Sequence, residues 1–96
     1  MTSKQRAYLR GLANSLEAIF QIGKAGITDI FVSQISDALE ARELIKISVL
    51  ETAPDTVRNL AENLAVKTNS TVVQTVGSKI TLYRPRKKNS KIVLPK

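Results

Sequence analysis

Four residues near the start of the chain, Gly23-Lys24-Ala25-Gly26, have the types and spacing to hold a phosphate group. They stand between an apolar run at 18–22, which predicts a strand, and a predicted helix that begins at Thr28. A strand-to-helix turn of this kind aims free backbone N–H groups, the positive end of a helix dipole and the Lys24 side chain at one point in solvent. Glycine is also the ordinary residue for turning a strand into a helix, so the pattern alone leaves both explanations open.

Other reactive groups are few, because the chain contains no histidine and no cysteine. Ser-His and Cys-His dyads, zinc sites of the usual kind and disulfides are therefore excluded. The eight acidic residues show no spacing typical of a paired-carboxylate site. We predict no catalytic residue, no metal and no cofactor. An enzyme that works through carboxylates, lysine or serine alone stays as an alternative.

The size and composition of the chain predict a single folded domain, since 43% of its 96 residues are hydrophobic. No apolar run approaches the roughly 18 residues that cross a bilayer, and residues 1–6 do not resemble a signal-peptide core. We therefore expect a cytoplasmic protein. Residues 1–84 are predicted to form the domain and 85–96 a basic, mobile tail, in which the apolar residues 92–94 could dock elsewhere.

The net charge of +7 is unevenly distributed along the chain. It is +3 over residues 1–28, −4 over 29–66 and +8 over 67–96. A polyanion would be attracted to the two ends and repelled by the middle. A charge that only kept the protein soluble would not need this segregation. The fold must therefore bring the two ends together if they form one binding surface.

Hydrophobic periodicity predicts the element order α-β-α-β-α-β-β. The predicted helices run from Thr2 or Ser3 to about Asn14, from Thr28 to Arg42 and from Pro54 to about Lys67. The predicted strands cover 18–22, 44–50, 71–76 and 79–84, with a hairpin at Gly77-Ser78. Because alternate strand positions are polar, we expect a two-layer α/β sandwich: a mixed four-stranded sheet with helices mainly on one face and the other face partly open.

Cationic side chains are predicted on two surfaces of this sandwich. In the first helix, Lys4, Arg6 and Arg10 should lie on the front, opposite an apolar stripe that includes Leu9 and Ala13. On the open face of the sheet, the outward cations should be Lys46, Lys79 and Arg84. Tyr83 is the one aromatic ring expected on that face, where stacking on a base and packing at the edge of the sheet are both open.

Four stretches, in this order along the chain, carry a resemblance to a known family. They are KQRAYLRGLA at 4–13, FQIGKAGIT at 20–28, ALEARELIKI at 38–47 and VVQTVGSKITLYR at 72–84. The chain resembles the CRM domain, the chloroplast RNA splicing and ribosome maturation domain, in its stand-alone bacterial YhbY form. It departs from the family at Asn14, where histidine is frequent, and at Glu17-Ala18, which replaces a turn that often contains proline.

The resemblance implies an RNA-binding module with a fold similar to the C-terminal domain of bacterial translation initiation factor three. It also implies that the glycine-lysine loop clamps an RNA backbone as in KH domains, and that the protein associates with precursors of the large ribosomal subunit. The hypothesis is that Gly23 and Gly26 let the RNA approach closely while the N–H groups around Lys24 and Ala25 contact phosphates. The other cations that we expect at the interface are Arg6, Arg10, Lys4, Lys46, Lys79 and Arg84.

Because aromatic residues are few, we expect the protein to recognise RNA by shape and backbone rather than by sequence. The sequence does not define an oligomeric state, and we expect a monomer. Two further alternatives remain. A protein-interaction adaptor could use the open sheet face to bind a ribosomal protein or an assembly factor. A membrane-surface protein could use the basic segments, but these lack the spare apolar face that such binding needs, so we predict no membrane partner.

Overall fold

The computed structural model describes residues 1–96 and contains the predicted order of elements. The helices are α1 (Ser3–Ala13), α2 (Asp29–Arg42) and α3 (Val57–Thr68). The strands are β1 (Ala18–Ile22), β2 (Leu44–Val49), β3 (Thr71–Val76) and β4 (Lys79–Tyr83). The predicted α/β class and the mixed four-stranded sheet are confirmed. None of the helices is long and apolar enough to span a membrane.

Each helix begins at a threonine whose side chain accepts a hydrogen bond from the first turn. Thr2 and Gln5 form a reciprocal capping box at α1, and Thr28 accepts from the N–H of Phe31 at α2. At α3 the cap is Thr56, which accepts from the N–H of Asn59 at 3.1 Å. The prediction that this helix starts at Pro54 is wrong by three residues, because the side-chain cap at Thr56 satisfies the first-turn donor.

The strands are arranged in the order β1-β2-β4-β3. Strands β1 and β2 are parallel and are connected through α2, whereas β4 is antiparallel to both of its neighbours. The carboxyl ends of β1 and β2 therefore lie at the same end of the sheet, which we call the loop end. The loops that follow these two strands, residues 23–28 and 50–56, lie side by side there.

The main core lies between one face of the sheet and helices α2 and α3. Twelve buried residues form it, and Ile35, Leu39 and Leu64 are helix residues with no exposed surface. The inward strand residues include Ile45, Ile47, Ile80 and Leu82, as the alternation in β2 and β4 predicts.

A second, smaller core lies on the other face of the sheet, under α1. Leu9 and Ala13 of α1 pack there with Leu44, Val73 and Tyr83. Leu44 is the first residue of β2, Val73 lies in the bulged part of β3 and Tyr83 is the last residue of β4. Helix α1 therefore covers the end of the sheet opposite the loop end. The remainder of this face is the partly open surface that the sequence predicts.

The end of the chain is attached to this second core. The sequence predicts a mobile tail with docking at 92–94 as an option, and the structure packs Ile92 and Leu94 against the core beneath α1. The side-chain amide of Gln5 also donates to the carbonyl oxygen of Pro95 at 3.0 Å. The fold therefore places the basic N-terminal helix beside the basic C-terminal segment, as the segregated charge requires of a shared surface.

Candidate nucleic-acid interface

Residues 23–26, which we call the GKAG loop, form a closed four-residue turn at the loop end of the sheet. The N–H of Gly26 donates to the carbonyl oxygen of Gly23 at 2.9 Å. Lys24 and Ala25 occupy the two central positions, both are exposed, and neither has a positive φ. The turn therefore holds the Lys24 side chain out into solvent at the junction of β1 and α2.

Gly26 is required by the protein itself. Its φ is +68°, in the left-handed region that favours glycine, and a Cβ there would lie 2.9 Å from Cγ of Pro54. Gly23 is less constrained, since the nearest atom to an added Cβ is Leu50 Cδ1 at 3.5 Å. We expected Gly26 to leave room for RNA. In the structure, the side of Gly26 on which a Cβ would project faces the loop that precedes α3, so the lack of a side chain serves packing within the protein.

Backbone N–H groups in the GKAG loop and at the residue after it have no acceptor within the protein. Within the protein, the N–H groups of Lys24, Ala25 and Ile27 donate to no backbone or side-chain acceptor. They flank the exposed Lys24 ammonium and precede the first turn of α2. Asp29 lies in that first turn and offsets part of the helix dipole. The start of α2 thus combines three free backbone donors with one exposed ammonium.

Two of the predicted sheet cations lie on the open face. Lys79 is paired with Ser48 across β4 and β2, and its ammonium donates to the Ser48 hydroxyl. It lies at the loop end, because the next residue along β2, Val49, donates its N–H to Ser78 at 2.7 Å. Lys46 is half-buried and two positions further from that end. Lys79 therefore shares the loop end with the GKAG loop, and Lys46 stands between the two edges.

The cations of the first helix are separated from the GKAG loop by the length of the sheet. Lys4 and Arg10 are exposed, as predicted. The prediction that Arg6 lies on the solvent-facing front is wrong: its guanidinium donates to the carbonyl oxygens of Val72 and Val73, at 2.5 and 2.9 Å. Arg6 instead caps carbonyl groups at the bulge of the edge strand β3, which protects that edge from pairing.

Arg84 is also placed differently from the prediction. It follows β4 on the side of the main core, where its guanidinium donates to the carbonyl oxygens of Ser36 and Thr68 at 2.7 and 2.8 Å. It also lies 3.6 Å from the carboxylate of Glu40. Arg84 therefore joins α2 to the end of α3 and does not extend the open face of the sheet.

The sequence model of the CRS1/YhbY (CRM) domain matches residues 1–84. The chain belongs to the CRM domain family. The solved structure of the Staphylococcus aureus protein SAV1595 is similar to the whole CRM protein, with a TM-score of 0.83, 49% identity and 99% of each chain covered.

Two relatives of this CRM protein also match it along nearly their whole length. The Bacillus subtilis protein named "Probable RNA-binding protein YqeI" is 46% identical over 95 residues, and the match covers 99% of each chain. A Haemophilus influenzae protein named "RNA-binding protein" is 33% identical over 96 residues, with 100% of this chain and 96% of the relative covered. The resemblance inferred from the four sequence stretches is thus confirmed.

The aromatic ring predicted on the open face of the CRM domain is buried. Tyr83 does lie on that side of the sheet, but α1 and the C-terminal segment cover it and leave it 4% exposed. Burial and the nearby charge of Glu43 raise the pKa of the Tyr83 phenol. Stacking of a base on Tyr83 is therefore excluded in this fold, and the packing alternative holds.

One residue with a special environment was missed by the sequence reasoning. Glu43, at the junction of α2 and β2, has a φ of +67° and is only 1% exposed. Its carboxylate accepts hydrogen bonds from the N–H groups of Arg86, Lys91 and Ile92 and from the Ser90 hydroxyl. The available signal was an acid at the end of a helix, where the dipole disfavours it, directly before an apolar strand.

This arrangement predicts a dependence of stability on acid pH. Burial opposes the charged form of Glu43, but the hydrogen bonds from Ser90 and from the three tail amides outweigh it and hold its pKa below the ordinary 4.5. Its contribution to stability should therefore be complete above about pH 5 and be lost as the pH falls through the lower folded pKa. Thermal unfolding from pH 7 to about pH 2 should show a larger acid-dependent loss in the wild type than in Glu43→Gln. The same acid-dependent loss of stability in the wild type and in Glu43→Gln would contradict a lowered pKa of Glu43.

Proposed function

We propose that this CRM protein binds the phosphate backbone of structured RNA through the GKAG loop. The observation that carries the proposal is the group of free amides at Lys24, Ala25 and Ile27 beside an exposed ammonium. Backbone N–H groups and a lysine at the start of a helix are a recurrent way to hold a phosphate. The names of the Bacillus subtilis and Haemophilus influenzae relatives support RNA as the ligand.

Lys79 extends this contact surface along the open face of the sheet, and Lys46 continues it toward the middle. On the open face of the sheet, this surface offers backbone donors and ammonium groups but no accessible tyrosine ring, because Tyr83 is buried. Such a surface favours recognition of the shape and the backbone of RNA over recognition of base sequence.

We further propose that the RNA is ribosomal RNA in precursors of the large subunit, and that the protein assists their assembly as a cytoplasmic monomer without catalysis or a cofactor. Support for the ribosomal ligand comes from the family resemblance of the four sequence stretches. Crosslinking in cells, followed by sequencing of the attached RNA, tests it: reads concentrated in large-subunit precursor RNA would support the proposal, and reads spread over messenger RNA would contradict it.

The salt dependence of RNA affinity tests the backbone contact directly. With three to five phosphate contacts, a plot of log K against log salt concentration should have a slope of about −2 to −4. The measurement is a titration of a structured ribosomal RNA fragment at several potassium chloride concentrations. A slope near zero would overturn phosphate binding. Association with ribosomal particles that survives ribonuclease digestion would instead favour a protein-interaction adaptor.

A further inference from the structure

The C-terminal segment is held by a buried carboxylate through its main chain. Both oxygens of Glu43 are used: one accepts from the Arg86 N–H at 3.1 Å and from the Ser90 hydroxyl, the other from the N–H groups of Lys91 and Ile92 at 2.7 and 3.1 Å. Between these donors the chain reverses through Asn89, whose φ is +57°. Residues 86–91, which we call the basic tail loop, therefore close on a fixed internal anion.

The way in which Glu43 is satisfied leaves every cation of the basic tail loop free. The two ion pairs of the protein join Arg58 to Glu62 and Arg84 to Glu40, and neither involves residues 86–91. Backbone amides and a hydroxyl stabilise the charged carboxylate by hydrogen bonds, so no side-chain ammonium or guanidinium is paired with it. The loop thus presents four cations within six residues, namely Arg86, Lys87, Lys88 and Lys91.

Holding these cations together has a cost, because a segment with so many like charges repels itself and tends to extend. The four hydrogen bonds that the loop and Ile92 donate to Glu43, which we call the clasp on Glu43, work against that tendency. The packing of Ile92 and Leu94 and the hydrogen bond from Gln5 to Pro95 act in the same direction. A tail that served only as diffuse positive charge would need none of these contacts. The arrangement instead resembles a binding element whose ordering is completed before the ligand arrives.

We propose that the basic tail loop is a second, preorganised contact for the phosphate backbone of RNA, positioned by the clasp on Glu43. The inference rests on the proposed RNA-binding function and adds a site to it. Glu43 precedes β2, whereas the GKAG loop lies at the opposite, loop end of the sheet. A strand of six residues spans about 20 Å. The ligand that this spacing fits is a folded RNA long enough to touch both ends of the sheet.

The substitution Glu43→Gln distinguishes a preorganised loop from diffuse charge, because the two explanations predict changes of RNA affinity in opposite directions. It raises the net charge from +7 to +8, so diffuse attraction would leave RNA affinity unchanged or make it tighter. A glutamine amide, however, has a single acceptor oxygen, so its NH2 group must face either the N–H groups of Lys91 and Ile92 or the N–H of Arg86 and the hydroxyl of Ser90. In either orientation at least one backbone N–H loses its acceptor, which loosens the clasp. We expect affinity for a structured ribosomal RNA fragment to fall by about threefold to tenfold, because the loop must then become ordered during binding, which costs free energy.

The matched control is Glu62→Gln, which makes the same chemical change on the exposed surface of α3. It should leave the affinity unchanged or slightly tighter. Amide hydrogen exchange at Arg86, Lys91 and Ile92 reports the clasp: faster exchange at one or more of these three amides is expected in Glu43→Gln and not in the control. Slow exchange in that variant would overturn the clasp, and fast exchange with wild-type or tighter RNA binding would overturn the preorganised contact.

A second variant keeps the clasp and removes charge. In Lys87→Gln/Lys88→Gln the Glu43 contacts are untouched, and the salt slope should become shallower by about 1.5 with a several-fold loss of affinity. If the wild type fails to bind RNA at all, the proposed function is wrong. If the wild type binds and Lys24→Glu weakens it while the double lysine variant behaves as wild type, the GKAG site stands and the second contact is overturned.

Discussion

Reversing the charge of Lys24 by substitution with glutamate should weaken binding of this CRM protein to a structured ribosomal RNA fragment by about tenfold or more at low salt. The side chain stands at the tip of the GKAG loop between free amides, so the new carboxylate would face the same phosphate. Two unit charges 4 Å apart interact by about 1 kcal/mol in water and about 4 kcal/mol near a protein surface. Tenfold in affinity corresponds to about 1.4 kcal/mol, which charge reversal readily exceeds.

The control is Lys67→Glu, which changes the net charge equally in the last turn of α3, a helix on the opposite side of the sheet from the open face. Its effect on affinity should be several-fold smaller. Lys24→Glu should unfold at nearly the wild-type temperature, because Lys24 is exposed and pairs with no acid. Lys67→Glu should unfold at a slightly lower temperature, because it places an acid in the last turn of α3, where the helix dipole disfavours it. Equal affinities of Lys24→Glu and the wild type, with both folded, would remove the GKAG loop from the interface.

The helices, the strands and the main core could be predicted because each is marked by a pattern of neighbouring residues in the sequence. Apolar positions repeat with the helix period in α2 and α3 and alternate in β2 and β4, so the elements and the main core follow. Threonine caps mark the starts of α1 and α2 in the same way. The start of α3 was misplaced because Pro54 is a common first residue of a helix, whereas here Thr56 provides the cap and Pro54 packs against Gly26.

The second face of the sheet could not be predicted in the same way. Whether Tyr83 is open or buried depends on where α1 lies, and α1 contacts strands that are far from it in sequence. Arg6 and Arg84 look like surface cations in any local pattern, yet both donate to carbonyl oxygens of distant segments. An arginine that satisfies backbone carbonyls carries no periodic signature, since its alkyl stem and charged head suit both exposed and half-buried positions.

The structure therefore changes which cations belong to the candidate interface. At the loop end, Lys24 and Lys79 remain, and Lys46 links them to the middle of the sheet. At the opposite edge, α1 supplies Lys4 and Arg10 beside the docked C-terminal segment. The acidic middle of the sequence does not separate the two basic ends, because it folds mainly into α2 and α3 on the other side of the sheet.

The largest expected effect on stability comes from Gly26→Ala. A Cβ at this position meets Cγ of Pro54 at 2.9 Å and sits on a residue with a φ of +68°. The left-handed backbone costs an alanine about 1 kcal/mol, and forcing a methyl group into a packed contact adds about 1 to 2 kcal/mol. We expect the free energy of unfolding to fall by about 2 to 3 kcal/mol, measured by urea denaturation.

Gly77→Ala separates the two causes, because Gly77 also has a positive φ, +56°, but an added Cβ there meets nothing within 4 Å. It should cost about 1 kcal/mol, from the backbone alone. Adding Pro54→Ala to Gly26→Ala should recover the difference, since it removes the opposing Cγ. Equal costs for the two glycine variants would show that the loop before α3 yields. Because the added methyl group faces Pro54, RNA affinity per folded molecule should change by less than about threefold. A large loss of affinity at unchanged stability would instead return Gly26 to direct contact with RNA.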